Sequence, residues 1–490
     1  MSQIETEPQK MNSLGKIKEE DYGIFIGGRW IPGEILFEVR SPFDGSMVGR
    51  VPQSTPEQVE LAIDFASKAY ETFSKSTAYQ RYLLLKRTAE LVMEHSEELA
   101  RLITAENSKV IRESRGEVAR AADTFMFGAE EARRIHGETV PLDAVPSGAG
   151  RVAYTVREPI GVIAAISPFN APLNLVAHKV APAIAAGNTV VLKPASSTPI
   201  IALKLAQIME EAGLPQGVLN VVTGSSAVGE QLVRDPRVVM VSFTGSPEVG
   251  RRIRDTAGFK RFTFELGSNS AVIIDDDSKL DEAVKRCVEG GFAHSGQVCI
   301  STQRILVQHK IEKVFVEKLT EAVGNLKTGD PFDETTDVSA LITTNDVVRL
   351  VDWINEAKRM GAIVTTGGDK VGNAILPTVL TKVTPGMKVF DKEVFGPLVA
   401  VTTYDTFEEA IKLVNSSKYG INAGVYTSDL AKAMKAAREI RAGAVLINDV
   451  PSFRVDHMPY GGVKESGLGR EGVRYAIEEM TELKLVIFKL

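Results

Sequence analysis

Short apolar runs alternate with helical stretches along most of this chain, and that alternation restricts the possible folds more than any other feature. After Arg151 each run ends in a turn signal and is followed by a helical pattern, as "VVLKP" is followed by "PIIALKLAQIMEEAG". Strands separated in this way pair in parallel and are covered by helices on both faces. The first series comprises "IGVIAAIS", "AGNTVVLKP", "GVLNVVTG" and "VVMVSFTG". The pattern predicts an α/β protein with a doubly wound parallel sheet, which binds ligands beyond the carboxyl ends of its strands.

A second series follows Gly267 and predicts a second doubly wound parallel-sheet domain. Its runs are "SAVIIDDD", "QRILVQ", "AIVTTGG", "LVAVTTY" and "GAVLIND". Helical periodicity dominates between Pro56 and about His136. Two strand-like segments, "RVAYTVREP" and the final "LKLVIFKL", stand outside the alternation. Because an unpaired strand is an aggregation hazard, we expect these two to form a small β arm that completes a sheet, in this chain or in a partner.

Composition excludes several classes of partner. The net charge of −6 disfavours a nucleic-acid ligand. Two cysteines cannot build a disulfide framework, and the six histidines form no ligand cluster, so no metal is expected. No run approaches the roughly 18 apolar residues of a membrane span. The segment "MSQIETEPQKMNSLGKIKEED" lacks the apolar core of a signal peptide. We therefore expect a soluble cytoplasmic protein with no membrane partner.

The segment "HSGQVCISTQR" places Cys299 beside a polar turn. Gly296 permits close approach of the backbone, and Ser295 and Gln297 add polar groups. A thiol in that setting is a candidate nucleophile, although an isolated cysteine is more often a buried structural residue. The other cysteine, Cys287, has the helical spacing of a core residue. Partners elsewhere in the chain must decide between the two interpretations of Cys299.

Polar residues follow two of the predicted strands, at the sheet edge where ligands bind. Lys193 and Ser196 come after "TVVL", and Asn170 lies in the Pro-flanked turn "SPFNAP". Lys193 is otherwise an ordinary solvated lysine, and the Asn170 amide either holds its own turn or serves as an oxyanion donor. In "VSFTGSPEVG", Ser246 and Pro247 are strong helix-start signals, and a helix N-terminus suits a pyrophosphate. An ordinary strand–turn–helix without any ligand also explains the segment "VSFTGSPEVG".

Glu265 lies in the apolar run "FTFELG". A carboxylate on such a strand is either costly or useful, because desolvation raises its pKa toward that of a general base.

Together these segments resemble the aldehyde dehydrogenase superfamily. The resemblance runs from about Ile24 to Leu490, and the segments occur in the family's order: "SPFNAPLN", "VLKPASSTP", "FTGSPEVG", "FELGSNSA", "GQVCIS", "EVFGP" and "GGVKESGLGREG". "GSNSA" departs from the commoner Gly-Gly-Lys form of that turn. With "VPSFRVDHMPYGGVKESG", the chain is similar to the subgroup of lactaldehyde dehydrogenases and non-phosphorylating glyceraldehyde-3-phosphate dehydrogenases.

The resemblance implies catalytic roles for three residues. Cys299 would attack the aldehyde carbon as a thiolate, and the Asn170 amide with the backbone N–H of Cys299 would stabilise the oxyanion. Loss of hydride to a nicotinamide leaves a thioester, from which Glu265 would release the acid by activating water. Family members that pass the acyl group to coenzyme A lack a glutamate at this position, so Glu265 favours hydrolysis.

The resemblance also implies a dinucleotide site. Lys193 would hold the adenosine ribose, Glu393 the nicotinamide ribose, and the turn from Gly245 to Gly250 the pyrophosphate. The expected cofactor-binding residues are Ile166, Ser167, Pro168, Phe169, Lys193, Ala195, Ser196, Gly229, Phe243, Thr244, Gly245, Ser246, Val249, Leu266, Gly267, Glu393 and Phe395.

Ser196 bears on the choice between NADP and NAD. NAD-preferring relatives often carry a glutamate there, which would repel a 2′-phosphate, whereas a serine can donate a hydrogen bond to it. NADP is therefore the expected cofactor, and dual use with NAD stays open.

Two arginines are candidates for substrate binding beside Asn170. By its position relative to "RRIHG", Arg120 falls on the helix that faces the aldehyde pocket in the family, and Arg454 lies on the loop that forms the pocket's other wall. Two guanidiniums would suit a short aldehyde that carries a phosphate, a carboxylate or hydroxyls. The alternative is that both are ordinary surface arginines.

The expected domain division has five parts. It comprises a flexible tail at 1–20, an NAD(P)-binding domain at 21–137 and 159–266, a catalytic domain at 267–448, oligomerisation strands at 138–158 and 471–490, and a loop at 449–470 that returns to the cofactor domain and lines the substrate pocket. We expect a homo-oligomer, either a dimer or a tetramer.

Three rival functions stay open. One is a NAD-dependent aldehyde dehydrogenase of broad specificity for aliphatic and aromatic aldehydes. Another is a cysteine hydrolase or acyltransferase without a nucleotide, but such enzymes need a histidine to form the thiolate and no histidine is nominated here. A third, a non-catalytic relative, is disfavoured because Cys299 and Glu265 are both present.

Overall fold

The computed structural model describes residues 16–18 and 21–490. In chain order its strands are β1 (Lys16–Lys18), β2 (Asp21–Tyr22), β3 (Ile24–Ile26), β4 (Arg29–Ile31), β5 (Leu36–Arg40), β6 (Met47–Pro52), β7 (Thr139–Val140), β8 (Arg151–Pro159), β9 (Val162–Ile166), β10 (Thr189–Lys193), β11 (Leu219–Val221), β12 (Val238–Thr244), β13 (Arg261–Glu265), β14 (Ala271–Ile274), β15 (Arg304–Gln308), β16 (Ile363–Thr366), β17 (Lys370–Val371), β18 (Ala374–Ile375), β19 (Thr378–Thr381), β20 (Leu398–Tyr404), β21 (Asn422–Tyr426), β22 (Ala444–Ile447), β23 (Gly467–Leu468) and β24 (Thr481–Lys489).

The α-helices occupy most of the intervening chain. They are α1 (Pro56–Phe73), α2 (Ala78–Glu94), α3 (Ser96–Asn107), α4 (Ile111–Ala132), α5 (Asn174–Ala186), α6 (Ile200–Glu211), α7 (Ser226–Arg234), α8 (Pro247–Ala257), α9 (Leu280–Phe292), α10 (Glu312–Gly324), α11 (Thr344–Arg359), α12 (Lys388–Asp391), α13 (Phe407–Asn415), α14 (Leu430–Glu439) and α15 (Val473–Glu479). Short 3₁₀ turns lie at Leu142–Ala144, Pro146–Gly148, Ala293–Gly296, His309–Ile311 and Lys464–Ser466. No helix in the described ranges has both the length and the apolar content to cross a bilayer.

An eight-stranded sheet carries the first series of apolar runs, in the order β23-β13-β12-β9-β10-β11-β3-β4. Its five central strands, β13 to β11, are parallel, and antiparallel strands complete both edges. The chain builds outward from β9 through β10 to β11, then returns to place β12 on the other side of β9. Doubly wound sheets bind ligands at such a reversal, beyond the carboxyl ends of the strands.

A seven-stranded sheet carries the second series, in the order β16-β19-β20-β15-β14-β21-β22. Every pair is parallel except the edge pair of β16 with β19. Central strands such as β10, β14 and β15 are buried along their whole length because helices cover both faces. Burial on both faces explains why these strands are continuously apolar in the sequence. The predicted α/β class with two parallel sheets is confirmed.

The small β arm forms within this one chain. Strand β24 pairs antiparallel with β8 over nine residues, from Thr481 opposite Pro159 to Lys489 opposite Arg151, and β7 lies on the other side of β8. The neighbour that "RVAYTVREP" lacks in the sequence is therefore the chain's own C-terminal strand. The strand segment expected over 471–490 is shorter than predicted, because residues Val473–Glu479 form α15.

The chain before Pro56 holds strands that the periodicity does not reveal. A four-stranded sheet in the order β1-β2-β6-β5 and the edge hairpin of β3 and β4 lie there. These strands are short, and only a few consecutive residues carry each pattern. Of the tail predicted at 1–20, residues 16–18 pair with β2 as β1, and the rest lies outside the described residues.

Helix α5 is buried along all of its residues, and Lys179 on it reaches Thr244 at the end of β12. It packs against α4 and α15, and its apolar residues join the largest core cluster. Three polar residues of this buried helix, Asn174, His178 and Lys179, each have hydrogen-bond partners from other segments. Buried polar groups are costly without such partners, so these contacts fix how α5 sits against the sheet edge.

Candidate active site

The carboxyl ends of the parallel strands bring the expected site residues to one edge. Lys193 lies beside Ile166 in the register of β10 with β9, and Phe243 lies beside Ile166 in that of β12 with β9. In the next pair, Thr244 lies beside Glu265. The segments around Ser167–Asn170, Ala195–Ser196, Gly245–Ser246 and Leu266–Gly267 follow these strand ends. Residues about 100 positions apart in the sequence thus share one edge because parallel strands end on the same side.

The loop that presents Cys299 is held in an uncommon backbone conformation. His294, Ser295 and Gly296 have φ values of 46°, 54° and 70°, which is the left-handed region. A side chain on Gly296 would collide with the carbonyl of Gly396, so glycine is required there for contact as well as for conformation. This close approach packs the cysteine loop against the segment that contains Glu393 and Phe395.

Side chains from distant segments anchor the cysteine loop. Ser295 Oγ donates to the carbonyl of Ser339 at 3.0 Å, and the amide of Ile342 donates to Gln297 Oε1 at 3.0 Å. The backbone N–H of His294 donates to Glu113 Oε2 at 2.7 Å. Consecutive left-handed residues are strained unless their surroundings determine them. These hydrogen bonds hold the loop in its left-handed conformation and thereby fix the position of the thiol.

Cys299 is partly buried, and its sulfur contacts a tyrosine hydroxyl. The distance from Cys299 Sγ to Tyr460 Oη is 3.0 Å, and the guanidinium of Arg454 lies 3.7 Å from the centre of the Tyr460 ring. Burial raises the pKa of the Cys299 thiol to about 11, while the hydrogen bond from Tyr460 and the charge of Arg454 lower it. The other thiol, Cys287, is fully buried within an apolar cluster and is a structural residue, as predicted.

Asn170 joins the end of β9 to the cysteine loop. Its Nδ2 donates to the carbonyl of Gln297 at 2.9 Å. An amide nitrogen has two N–H groups, so a second donor is left for another acceptor. In the described part of the chain, the backbone N–H of Cys299 donates to no protein acceptor. The hydrogen bond to Gln297 holds the Asn170 amide against the loop that carries the second donor, so the two donors can serve one oxyanion.

Glu265 is a buried carboxylate without a protein hydrogen-bond partner among residues 21–490. Burial raises the pKa of this carboxyl well above its ordinary value, and the nearby charge of Glu471 raises it further. The cations Arg454, Lys179 and Arg470 act in the opposite direction. Glu265 is also close enough to Cys299 for its charge to raise the thiol pKa. A carboxyl with free lone pairs and a raised pKa is suited to accept a proton from water.

Lys193 and Ser196 lie where the end of β10 faces the end of β11. Lys193 Nζ is buried and donates to the carbonyl of Pro194 at 3.1 Å, which leaves further donor capacity. Burial lowers the pKa of Lys193 to about 8. A side chain on Gly229, in α7, would touch the Lys193 stem, since its Cβ would lie 3.4 Å from Lys193 Cδ. Ser196 is exposed, and its hydroxyl donates to the carbonyl of Gly224 at 2.6 Å.

The helix predicted after Gly245 is α8, which begins at Pro247. Ser246 is its N-cap and accepts a hydrogen bond from the N–H of Val249 at 3.3 Å. The predicted helix start is confirmed. Ser246 and Val249 are exposed at this end of the helix, so a ligand can reach the remaining N–H groups.

Glu393 and Phe395 connect the second sheet to the strand ends of the first. Glu393 Oε1 accepts a hydrogen bond from the backbone N–H of Ser268 at 2.9 Å, and its carboxylate packs against Gly267. Burial raises the pKa of Glu393 to about 7. The Phe395 ring stands edge-on to Phe169, with 5.9 Å between ring centres and 82° between planes. The expected cofactor residues of the two sheets therefore meet.

Both candidate substrate arginines are paired with carboxylates of the chain. Arg120 donates from Nε and Nη2 to the two oxygens of Asp456, at 3.0 and 2.8 Å, and is partly exposed. Arg454 is buried and donates to Glu471 Oε2 at 3.1 Å. The alternative that both are ordinary surface arginines is wrong for Arg454. Arg454 faces the Tyr460 ring and the cysteine, whereas Arg120 reaches the loop of Asp456 from α4.

Lys179, Glu471 and Tyr460 also belong to this region, although no sequence motif assigns them a role. Lys179 donates to Thr244 Oγ1 at 2.7 Å and to Glu471 Oε1 at 3.1 Å. A lysine inside the apolar helical run "NLVAHKVAPAIAA" was a detectable signal, because a buried cation needs a partner. Tyr460 directly precedes "GGVKESG", but an aromatic residue beside a glycine pair has no specific meaning. Within the described residues, no cluster of three or more potential metal ligands is present.

Comparison with known proteins identifies the family. The model of the aldehyde dehydrogenase family matches residues 30–486. A 3-sulfolactaldehyde dehydrogenase of Priestia aryabhattai is 48% identical over 482 residues, which cover 98% of this chain and 100% of that protein. A lactaldehyde dehydrogenase of Methanococcus aeolicus is 40% identical over 469 residues, 95% of this chain and 99% of that protein.

Solved structures agree with the fold. An NADP-dependent glyceraldehyde-3-phosphate dehydrogenase of Bacillus halodurans, complexed with NADP, has a TM-score of 0.94 at 34% identity and covers 96% of this chain and 100% of that one. An aldehyde dehydrogenase of Physcomitrella patens in complex with succinate has a TM-score of 0.94 at 38% identity, with 96% and 99% covered. With a family model that spans nearly all of the described chain, and relatives matched end to end, this chain belongs to the aldehyde dehydrogenase family.

Proposed function

We propose that this enzyme oxidises a short polar aldehyde to the carboxylic acid, with NADP preferred over NAD as the hydride acceptor. The observation that carries the proposal is that Cys299 lies within electrostatic range of Glu265, a buried carboxyl at the end of β13 that has no hydrogen-bond partner among the described residues. A thiol nucleophile and a base on that edge are what a two-step conversion through a thioester requires.

The residues on this edge fit a dinucleotide. Lys193 is a buried amine with unused donors, α8 offers an exposed N-terminus, and the Glu393 carboxylate lies on Gly267. These features suit a ribose, a pyrophosphate and a second ribose respectively. When bound, the nicotinamide supplies a two-electron hydride acceptor. We assign cofactor binding to the part of the chain before about residue 267, and catalysis to the part that follows it.

The chain's own groups account for the bond changes. The Cys299 sulfur forms a bond to the aldehyde carbon, and the carbonyl oxygen becomes an oxyanion that the free N–H groups of Asn170 and Cys299 stabilise. Departure of the aldehyde hydrogen as hydride restores the carbonyl as a thioester. Glu265 then removes a proton from water, the hydroxyl adds to the thioester carbon, and the thiolate leaves with the carboxylic acid released.

Ser196 supports the preference for NADP. It is exposed between the ends of β10 and β11, where an uncharged hydroxyl leaves room for an additional phosphate near Lys193. Two structural neighbours are complexed with NADP, and a third, a betaine aldehyde dehydrogenase of Staphylococcus aureus, is complexed with NAD⁺.

Ser196→Glu should shift the preference toward NAD. A carboxylate at this position repels a 2′-phosphate and accepts a hydrogen bond from a 2′-hydroxyl, so the ratio of kcat/KM for NADP to that for NAD should fall by at least about tenfold. Steady-state kinetics with both cofactors measures the ratio. Ser196→Ala is the control, because it removes the hydroxyl without adding charge. An unchanged ratio in Ser196→Glu would contradict this account of the 2′ site.

The substrate class follows from the relatives and from the two arginines. Two relatives are named for 3-sulfolactaldehyde and lactaldehyde. Both aldehydes have a short carbon chain with a hydroxyl, and 3-sulfolactaldehyde also carries a sulfonate. Arg454 places a guanidinium on the ring of Tyr460, which contacts Cys299, and Arg120 places another on Asp456, two residues along the same loop. Although both are paired, a guanidinium has five N–H donors, and carboxylate pairing leaves some of them for an anionic substituent. We infer a short hydroxyaldehyde with an anionic group.

A substrate panel tests the proposed function, and variants of Arg120 test the anion site. With NADP, kcat/KM should be highest for 3-sulfolactaldehyde, glyceraldehyde 3-phosphate or succinic semialdehyde, lower for lactaldehyde and glyceraldehyde, and lowest for benzaldehyde. Arg120→Gln should raise KM by about tenfold for the anionic aldehydes and much less for lactaldehyde, because one charge-assisted hydrogen bond is lost.

Two controls accompany the Arg120 variant. Arg120→Lys keeps the charge and should recover part of the loss. Arg115→Gln, on the same helix, removes a guanidinium that pairs on the surface with Glu97 and Glu334, and should leave all substrates unaffected. Equal effects of Arg120→Gln on neutral and anionic aldehydes would restrict Arg120 to its pairing with Asp456. Fastest turnover of benzaldehyde with NAD would instead support a broad-specificity enzyme.

A homo-oligomer built through the β arm is part of the proposal. Strand β24 is an edge strand, and its apolar residues Leu483, Leu485, Ile487 and Phe488 are about half exposed. Such an edge invites pairing with another chain. Whether the assembly is a dimer or a tetramer, and its location in the cytoplasm, stay predictions.

The structure does not favour the cysteine hydrolase. His294 is buried, its two ring nitrogens have no partner among the described residues, and burial with the nearby Lys109 lowers its pKa well below the ordinary value. It is therefore unable to share a charge with the thiolate as a hydrolase requires. Cleavage of an added ester such as p-nitrophenyl acetate, with no reduction of NADP on any aldehyde of the panel, would favour the hydrolase.

A further inference from the structure

Tyr460 is held so that its hydroxyl meets the cysteine sulfur. The residue is buried, and its ring packs in a small apolar cluster with Ile300 and Ile421. Its backbone exchanges two hydrogen bonds with Glu471, at 3.0 and 2.7 Å. The ring therefore has one orientation, in which Oη lies 3.0 Å from Cys299 Sγ.

Arg454 is fixed on the face of that ring by the same glutamate. Glu471 Oε2 accepts a hydrogen bond from Arg454 Nη2 at 3.1 Å, while the Glu471 backbone pairs with Tyr460. The guanidinium carbon lies 3.7 Å from the ring centre, which is a cation–π contact in a buried setting. A cation over the ring draws electron density from the phenol, which strengthens its O–H as a hydrogen-bond donor.

The nucleophile needs such a donor. Burial disfavours the ionised thiol, and only the thiolate attacks a carbonyl. No histidine contacts the sulfur among the described residues, and Tyr460 is the hydrogen-bond partner that the structure gives it. A phenol that donates to a thiolate stabilises the charged form, because hydrogen bonds to ions are stronger than those to neutral groups.

We propose that Tyr460 is a further catalytic residue, whose hydroxyl donates a hydrogen bond to the Cys299 thiolate, and that Arg454 is the positioning residue that holds and polarises it. This rests on the proposed role of Cys299 as the nucleophile. As sulfur bonds to the aldehyde carbon, its negative charge passes to the oxyanion. The Tyr460 proton stays on its oxygen throughout, and the same contact receives the thiolate again when the thioester is hydrolysed.

Tyr460→Phe tests the proposal because it removes the hydroxyl and keeps the ring. The rate of Cys299 alkylation by iodoacetamide is measured in pH-jump experiments from about pH 7 to about pH 12, a range that includes the raised pKa of the thiol, with the modified residue identified by mass spectrometry. The midpoint should rise by about one pH unit. A thiol of higher pKa is also a better nucleophile once ionised. The rate at neutral pH should therefore fall about threefold while the limiting rate at high pH rises about threefold.

That opposite movement separates the proposal from a packing role. Loss of packing alone would change the rates at both pH limits in the same direction and leave the midpoint unchanged, and that result would overturn the proposal. Tyr404→Phe is the matched control, because it removes a buried hydroxyl that contacts Ile274 and Asp275 instead of the cysteine. Its alkylation profile should match the unmodified enzyme.

Arg454 variants test the second half of the proposal. Arg454→Lys keeps a charge but loses the flat stacking on the ring, so the midpoint should rise by less than in Tyr460→Phe. If Arg454 acts through the hydroxyl, adding Arg454→Lys to Tyr460→Phe should produce little further shift. Fully additive shifts would overturn the positioning role. Since alkylation needs neither aldehyde nor cofactor, an unchanged midpoint in Tyr460→Phe refutes this inference alone, whereas retained turnover in Cys299→Ala refutes the proposed function.

Discussion

Cys299→Ala should lower kcat for aldehyde oxidation by at least about 10⁴-fold, the scale of losing a covalent nucleophile. The alanine removes the atom that bonds to the aldehyde carbon, so no thiohemiacetal or thioester can form. NADP affinity should stay within a few fold of the unmodified enzyme, because Lys193, α8 and Glu393 are unchanged. Formation of reduced cofactor measures turnover, and titration of protein fluorescence measures NADP binding.

Cys287→Ala is the matched control for that variant. Cys287 is fully buried in an apolar cluster formed by strands and helices of the second sheet, and none of the proposed site residues belongs to that cluster. Replacing it leaves a small cavity, so we expect a lower Tm of about 2–4 °C but unchanged kcat. Turnover that survives in Cys299→Ala, or is lost in Cys287→Ala without unfolding, would show that the wrong thiol has been assigned.

Glu265→Gln should separate the two half-reactions. Glutamine has nearly the same shape but cannot take a proton from water, so hydride transfer proceeds once and the thioester then persists. A pre-steady-state burst of reduced cofactor should be followed by a steady-state rate lower by about 10²–10⁴-fold, the usual contribution of a general base. Stopped-flow absorbance measures the burst, and intact mass spectrometry detects the acylated enzyme.

The control and the chemical rescue make this prediction sharper. Glu106→Gln changes another buried carboxyl, which caps α6 by accepting the N–H groups of Ile200 and Ile201, and it should show no burst. Hydroxylamine should restore turnover in Glu265→Gln, since it attacks a thioester without a general base. A Glu265→Gln enzyme that loses the burst together with the steady state would assign Glu265 to the first half-reaction instead.

The raised pKa of Glu265 also sets the pH dependence of acid release. The base acts only when ionised, and burial together with Glu471 moves ionisation to higher pH. The rate of thioester hydrolysis should therefore rise with pH beyond the range of an ordinary carboxyl. In Glu265→Gln this rise should disappear.

Much of the fold could be predicted because local sequence carries it. Each apolar run quoted from the two series coincides with a strand of one of the two parallel sheets. The strands before Pro56 could not be predicted, since four of them have only two or three residues, and the five of β5 and six of β6 are still too few to show a clear period. The C-terminal strand is shorter than the expected segment 471–490 because Val473–Glu479 form α15. A helix of seven residues has too few turns to show a helical period in the sequence.

The sequence by itself determined the class of chemistry. The thiol in its glycine turn, the carboxyl in an apolar strand and the polar residues at strand ends are local features, and parallel strands bring such ends to one edge wherever the sheet forms. Only the tertiary structure decided the electrostatics of that edge. Tyr460 and Arg454 lie more than 150 positions beyond Cys299 in the sequence, yet Tyr460 contacts its sulfur. Glu471 binds Arg454, and Lys179 in turn binds Glu471. The physical reason is that charge and hydrogen-bond partners act through distance in space, and a sequence records only distance along the chain.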